Sequence, residues 1–237
     1  MRIKGTLMHC IRSCPYGNAT YDKFLSLYHK FVLPFRKRNL RKYGARILGE
    51  VYEISKRNQL QCVSHYGTLL GLIRDGGFIK YDDDIDFVIK SENVADSRRF
   101  VQLMEDNGYV FKRLVKVGLK PLYFTYMKYG INIDFFTYDC FDEISVVVNG
   151  SWIDPMARYM DASETSWRRR RLPKICSKEY EFMGVKILIP DNPEESLRAA
   201  YGDGWKVPDP HFKDSDRRDE YIHMPEKARS IFDKSSI

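Results

Sequence analysis

A chain of 237 residues is long enough for one sizeable core with at most a small appended unit. Its hydrophobic fraction of 43% and charged fraction of 30% are those of a soluble globular protein, and no apolar run approaches the roughly 18 residues of a spanning helix. Five scattered cysteines fit free thiols in a reducing compartment rather than a disulfide framework, and the net charge of +7 suits an anionic partner: a phosphorylated substrate, anionic lipid or nucleic acid.

Met1 to Cys14 has neither a sustained apolar stretch nor a small-residue cleavage site, so no secretory signal is expected and a cytoplasmic location follows. His9, Cys10 and Cys14 lie together, but no second cysteine/histidine pair follows at zinc-finger spacing, which argues against a structural zinc. Residues 1–20 read as an irregular lead-in, and 21–33 as a helix broken by Pro34. The basic stretch from His29 to Arg46 reads as a solvated face or as a contact for an anionic membrane. Over 38–58, Leu40, Tyr43, Ile47, Val51 and Ile54 recur at helical spacing and predict an amphipathic helix.

A short strand over Cys62–His65 is expected next, then a loop at Gly67 and a helical turn over Thr68–Arg74, stopped by the turn signal Asp75-Gly76-Gly77. Ile85–Ile89 reads as a strand, and 91–107 as a helix capped by Ser91. Leu122–Tyr129 and Ile131–Tyr138 read as a hairpin joined at Gly130. Asp161–Lys178 reads as a polar, basic loop, Val185–Ile189 as a strand and Asn192–Tyr201 as a helix stopped by Gly202. From Asp214 onward the chain is charged and reads as a loosely ordered tail. The fold class expected is α/β (α+β): a mixed β-sheet flanked by helices.

Chemistry concentrates at Asp82-Asp83-Asp84-Ile85-Asp86. Four carboxylates in five residues repel one another unless something positive compensates them. Asp84 and Asp86 are two apart at a strand start, so both project to one face, and Asp82 shares their parity. Asp134 lies inside an apolar run (Ile133, Phe135, Phe136), a costly place for a charge without a partner or a metal. Hard oxygen ligands in this arrangement suit Mg2+ or Mn2+. Backbone N–H groups at Gly67 and Thr68 are candidates for holding a phosphate. A solvated aspartate turn is the bland alternative for the cluster. Arg74 and Lys80 are candidates for offsetting phosphate charge, with an Arg74 ion pair to Asp75 or Asp82 as the alternative. His65 reads as a strand-end packing residue rather than a base. The run Arg168–Arg171 is open between a clamp for an anionic acceptor, a membrane contact and a solvated loop. Tyr201, Asp203 and Trp205 are open between lining a pocket and simple packing.

The segment GTLLGLIRDGGFIKYDDDIDFVI resembles the signature of the LicD family, which includes bacterial phosphocholine transferases and is similar to fukutin and fukutin-related protein. The matching positions are Gly67, Thr68, Leu69, Leu70, Gly71, Arg74, Gly76, Ile79, Asp82, Asp83, Asp84 and Asp86. Tyr81 stands where the family commonly has tryptophan, which keeps an aromatic wall, and Lys80 where proline is common. The segment Asp191-Asn192-Pro193 through Tyr201-Gly202-Asp203-Gly204-Trp205 resembles the family's closing element. The resemblance implies a nucleotidyltransferase fold over 41–210, with 1–40 a lead-in and basic helical segment and 211–237 a charged tail.

The resemblance further implies metal ligation by Asp82, Asp84, Asp86 and Asp134, with Asp84, Asp86 and Asp134 catalytic, and Gly67, Thr68, Arg74, Lys80 and Tyr81 on the substrate side. The implied reaction moves a phospho-alcohol group (phosphocholine, ribitol phosphate or glycerol phosphate) from a CDP-activated donor to a hydroxyl of a glycan or lipid-linked saccharide, releasing CMP. No nucleic acid is expected as partner. Two alternatives use the same residues differently. A true nucleotidyltransferase would release pyrophosphate, and a non-enzymatic basic binding protein would not need the three aspartates together.

Overall fold

Pro34 starts a helix rather than breaking one. A π-helical turn over Tyr28–Val32 runs directly into helix α1, Leu33–Arg57, with the proline in its first turn, where a missing N–H has no bond to lose. The computed structural model describes residues 28–143, 145–152, 164–209 and 221–237; His9, Cys10 and Cys14, weighed above for zinc, lie outside them. One face of α1 buries Leu40, Ile47, Leu48, Val51 and Ile54, as the helical spacing predicts. Among the described residues no helix is long and apolar enough to cross a membrane.

Strand β1 (Val63–Ser64) leads into a short helix α2 (Tyr66–Leu70) and a π-helical turn over Gly71–Asp75. Gly76 ends that turn at φ 63°, a left-handed geometry that glycine reaches without side-chain cost. Strand β2 spans Asp84–Lys90. The helix expected over 91–107 is split into a 3-10 turn at Ser91–Val94 and helix α3, Ser97–Asp106. Asp96 displaces Ser91 as the cap, because its side chain accepts from the Arg99 N–H, one of the helix's first-turn donors.

Strands β3 (Val110–Val117), β4 (Lys120–Lys128) and β5 (Ile131–Cys140) follow. Tyr129 and Gly130, at φ 51° and 75°, make the two-residue turn of the expected hairpin. Next come β6 (Ser145–Trp152), β7 (Glu164–Pro173), the β8–β9 hairpin (Ser177–Phe182 and Val185–Pro190), helix α4 (Pro193–Tyr201), β10 (Tyr221–His223) and β11 (Ala228–Ile231).

Among the described residues, nine strands form one mixed sheet, in the order β1-β2-β5-β4-β3-β11-β7-β10, with β6 pairing both β5 and β7. Of these described pairs β2 and β5 run parallel and the others antiparallel. The pairings β5–β4–β3–β11–β7–β6 return to β5, so six strands close a ring. The fold is thus the mixed sheet flanked by helices expected from the sequence.

Two expectations are corrected. The region read as a basic loop is strand β7, its Trp167, Arg170 and Leu172 buried against β6 and β11. Part of the expected tail is in the sheet: β11 lies between β3 and β7, and β10 pairs with β7. In both cases long-range strand pairing overrode a polar local composition. Leu40 of α1 and Ile231 and Ile237 share one core cluster, so the described parts of 1–40 and 211–237 contribute to the same core.

That core packs the helices against the Ile85, Phe87, Ile133 and Phe135 face of the sheet. Phe87 stacks on Phe135 at 5.2 Å, and Phe100 of α3 meets Phe124 and Phe135 edge-on at 4.9 and 5.5 Å. Each such pair adds about 0.5–1.5 kcal/mol beyond burial. The opposite face of β2 and β5 carries Asp84, Asp86 and Asp134.

Candidate active site

Parallel pairing sets the geometry. Asp86 lies opposite Asp134 and Asp84 opposite Asn132 across β2 and β5, so strand alternation puts three carboxylates on one face. Oxygen atoms of Asp84, Asp86 and Asp134 lie within 4.8 Å of one another. Asp82, Asp83 and Asp84 form a second, overlapping group on the same criterion.

The segment before β2 is shaped around these carboxylates. The Asp86 N–H donates to Thr68 Oγ1 at 2.9 Å, and the His65 N–H donates to the Asp86 carbonyl at 3.1 Å. The Gly67 N–H donates to the Asp86 carboxylate. A Cβ on Gly67 would stand 2.8 Å from Asp82 Oδ2, so any other residue there would push the Asp82 carboxylate out of place. Gly67, expected with Thr68 as a phosphate cradle, turns its N–H to the Asp86 carboxylate and also lines the cavity onto which Asp82 and Asp86 open, while Thr68 is buried and its hydroxyl holds the Asp86 backbone. Tyr66, at φ 48°, holds a left-handed conformation uncommon for a side chain of its size, and its ring meets Phe136 edge-on at 5.1 Å.

Burial pushes the Asp84 and Asp86 carboxyls well above the usual carboxylate range, and the neighbouring carboxylates push them further. Asp82 is raised too, mainly by burial, against a hydrogen bond to Asp84 that lowers it. Asp134 is raised by burial despite Tyr123 and Thr125 beside it and the charges of Arg113 and Arg36. It is 7% exposed, and its Oδ1 has no hydrogen-bond partner among the described residues. A buried, orphaned carboxylate oxygen beside two more carboxylates fits a cation: hard oxygen donors in this number suit Mg2+ or Mn2+.

Asp82 and Asp86 open onto a cavity of about 550 Å3, within the size range of small-molecule sites. Arg168, Arg170 and Tyr221 form part of the wall, with Val148 and Gly150 of β6 on the same strand face. Arg168 stacks on the Tyr221 ring at 3.6 Å, and Arg170 lies 5.2 Å from it. The arginine run is sorted by strand parity. Arg169 donates to Asp139 at 2.7 Å and Arg171 to Asp142, both away from the cavity.

Arg74, Tyr81, Tyr201 and Trp205 also line the cavity. The Arg74 guanidinium is engaged by Asp75 through two contacts of 2.7 and 2.9 Å, the ion pair weighed from the sequence. Lys80 is exposed and lies outside the cavity lining; its carbonyl accepts from Arg41 at 2.8 Å. Asp203 points to solvent and pairs with Arg198 at 3.2 Å. His65 is buried, packs against Tyr66, and its pKa falls to about 3 through burial and the Arg170 charge, so it is neutral and structural. Tyr66, Phe136, Asn149 and Tyr221 also line the cavity and carry no role read from the sequence; an aromatic-rich composition is the one signal for the three rings, and Asn149 has none.

The LicD/FKTN/FKRP, nucleotidyltransferase domain family matches residues 59–192. The chain belongs to this family. The matched span runs from the end of α1 to the start of α4, and includes every carboxylate of the LicD-type site as well as Arg168 and Arg170. Membership makes a transferase the coarse assignment. No curated protein matches the chain.

Proposed function

We propose that this LicD-family protein transfers a phospho-alcohol group from a CDP-activated donor to a hydroxyl of a glycan or lipid-linked saccharide, releasing CMP. The observation that carries it is the triad of Asp84, Asp86 and Asp134, with its buried orphan oxygen, beside a cavity of nucleotide size. Asp84, Asp86 and Asp134, with Asp82 adjacent, would hold Mg2+ or Mn2+. When bound, the ion neutralises donor phosphate charge and acidifies the attacking hydroxyl. Asp134 takes the hydroxyl proton as the acceptor oxygen forms its bond to the distal phosphorus. The bond from that phosphorus to the CMP oxygen breaks, and CMP leaves with the electron pair. Arg168 and Arg170 offset phosphate charge from the cavity wall, and Tyr66, Tyr201 and Trp205 offer ring faces to the base or the transferred group.

Peripheral contact with an anionic membrane is part of this proposal for a cytoplasmic enzyme. Phe31 and Phe35 are 62% and 57% exposed beside the basic start of α1. Flotation with anionic vesicles, lost at high salt and absent with neutral vesicles, is the expected result. The decisive assay for the reaction incubates the protein with CDP-linked donors and Mg2+ and measures CMP. Pyrophosphate release from a nucleoside triphosphate, with no CMP from any donor, would replace this reading by nucleotidyl transfer.

A further inference from the structure

Two acidic triads overlap at Asp84, and the distances admit a divalent ion in either: Asp82–Asp83–Asp84 or Asp84–Asp86–Asp134. A side chain outside the family-matched span distinguishes them. Arg36, in the first turns of α1, donates through one guanidinium nitrogen to Asp83 Oδ2 at 3.0 Å and through the other to Asn132 Oδ1 at 2.5 Å. Asn132 is the residue opposite Asp84 on β5. Arg36 thus ties the loop before β2 to the start of β5, at the point where the two triads diverge.

We propose that Arg36 is a positioning residue that selects the cation position. This rests on the metal-dependent reading above and concerns which aspartates serve it. The guanidinium bonds Asp83 Oδ2 and compensates that carboxylate's charge, leaving only Oδ1 open, so a cation at Asp83 has to sit against a fixed positive charge. The first triad thus contains a ligand already compensated by Arg36, while in the second the Oδ1 of Asp134 has no hydrogen-bond partner among the described residues. The fork geometry matters as well as the charge. Two guanidinium nitrogens in a fixed plane take Asp83 and Asn132 separately, whereas lysine would have to reach both from one nitrogen, so lysine is not an equivalent.

The test is the number and affinity of Mn2+ ions bound by the full chain, measured by calorimetry and by electron paramagnetic resonance. The wild type is expected to bind one ion tightly. Asp83→Asn should leave that count and affinity within about threefold of wild type. Arg36→Gln should add a second, weaker ion, and Asp83→Asn in the Arg36→Gln background should remove it. Arg36→Lys should fall between. If Arg36→Gln lowers the melting temperature and the tight affinity without adding an ion, Arg36 is a structural tie and the proposal is overturned. If Asp83→Asn alone abolishes the tight ion, the first triad is the site and the proposal is again overturned. Absence of any Mn2+ binding by the wild type would overturn the metal-dependent reading itself, a different outcome from either of these.

Discussion

Two runs of like charge, Asp82–Asp86 and Arg168–Arg171, meet opposite fates in the same sheet. The acidic run is gathered: Asp84 and Asp86 project together and β5 brings Asp134 to them. The arginine run is divided: Arg168 and Arg170 face the cavity, while Arg169 and Arg171 face Asp139 and Asp142. Strand alternation operates in both. Buried carboxylates gathered on one face, one of their oxygens unbonded, point to something bound from outside. Arginines set against Asp139 and Asp142 point to structure. On β7 the cavity-facing and carboxylate-facing arginines alternate, one residue apart.

The gathered set should be the most sensitive to change. Asp84→Asn and Asp86→Asn are expected to lower turnover by roughly two orders of magnitude or more, with the fold intact by circular dichroism. Asp134→Asn should do the same while sparing or raising the melting temperature of the metal-free protein, since it relieves repulsion among buried carboxylates. A variant that melts early yet keeps full turnover per folded molecule would make Asp134 structural.

The divided set should separate by parity. Arg168→Gln and Arg170→Gln are expected to weaken donor binding about tenfold each, the scale of a lost charge-assisted bond. Arg169→Gln and Arg171→Gln should leave the Michaelis constant unchanged and lower stability by under about 1 kcal/mol, as for partly exposed ion pairs. Steady-state kinetics and thermal melts on the four variants check this. Equal effects on both sides would erase the distinction.

The smallest effect is a slope. The carboxyls of Asp84 and Asp86 are raised in the folded protein. The protonated forms therefore stabilise the fold below the unfolded aspartate pKa of about 3.9, and that contribution is lost as pH rises through the raised values. Metal-free Asp86→Asn should gain melting temperature relative to wild type as pH rises above the ordinary carboxylate range. Saturating Mg2+ should narrow the gap, because the cation offsets the charge that asparagine lacks.

The acidic site was legible because its information is local. Gly67, Thr68 and Asp82–Asp86 lie within twenty positions, and Asp134 stood out against its apolar neighbours. The hairpin at Gly130 and the helix over α1 were legible from turn chemistry and spacing. What stayed hidden depended on distant pairing. Four consecutive arginines have weak strand preference, and nothing near them in sequence says that β6 and β11 will flank them. Arg36 was visible only as one charge in a basic stretch, since its partners Asp83 and Asn132 are 47 and 96 residues away. Lys80 shows the converse: proximity to the aspartates in sequence did not bring its side chain into the cavity.

The position of β11 bears on how the molecule is assembled. Ser230 pairs with Val115, and Ala228 with Thr165, so the last strand is the wedge between two strands that have no direct pairing to each other. During synthesis the edges of β3 and β7 stay open until residues 228–231 have been made, while β2 and β5 can already zip side by side. Open edges of this kind recruit other chains. Trimming residues 221–237 should therefore reduce soluble yield far more than a tail of seventeen mostly polar residues suggests, even though every aspartate of the site is retained.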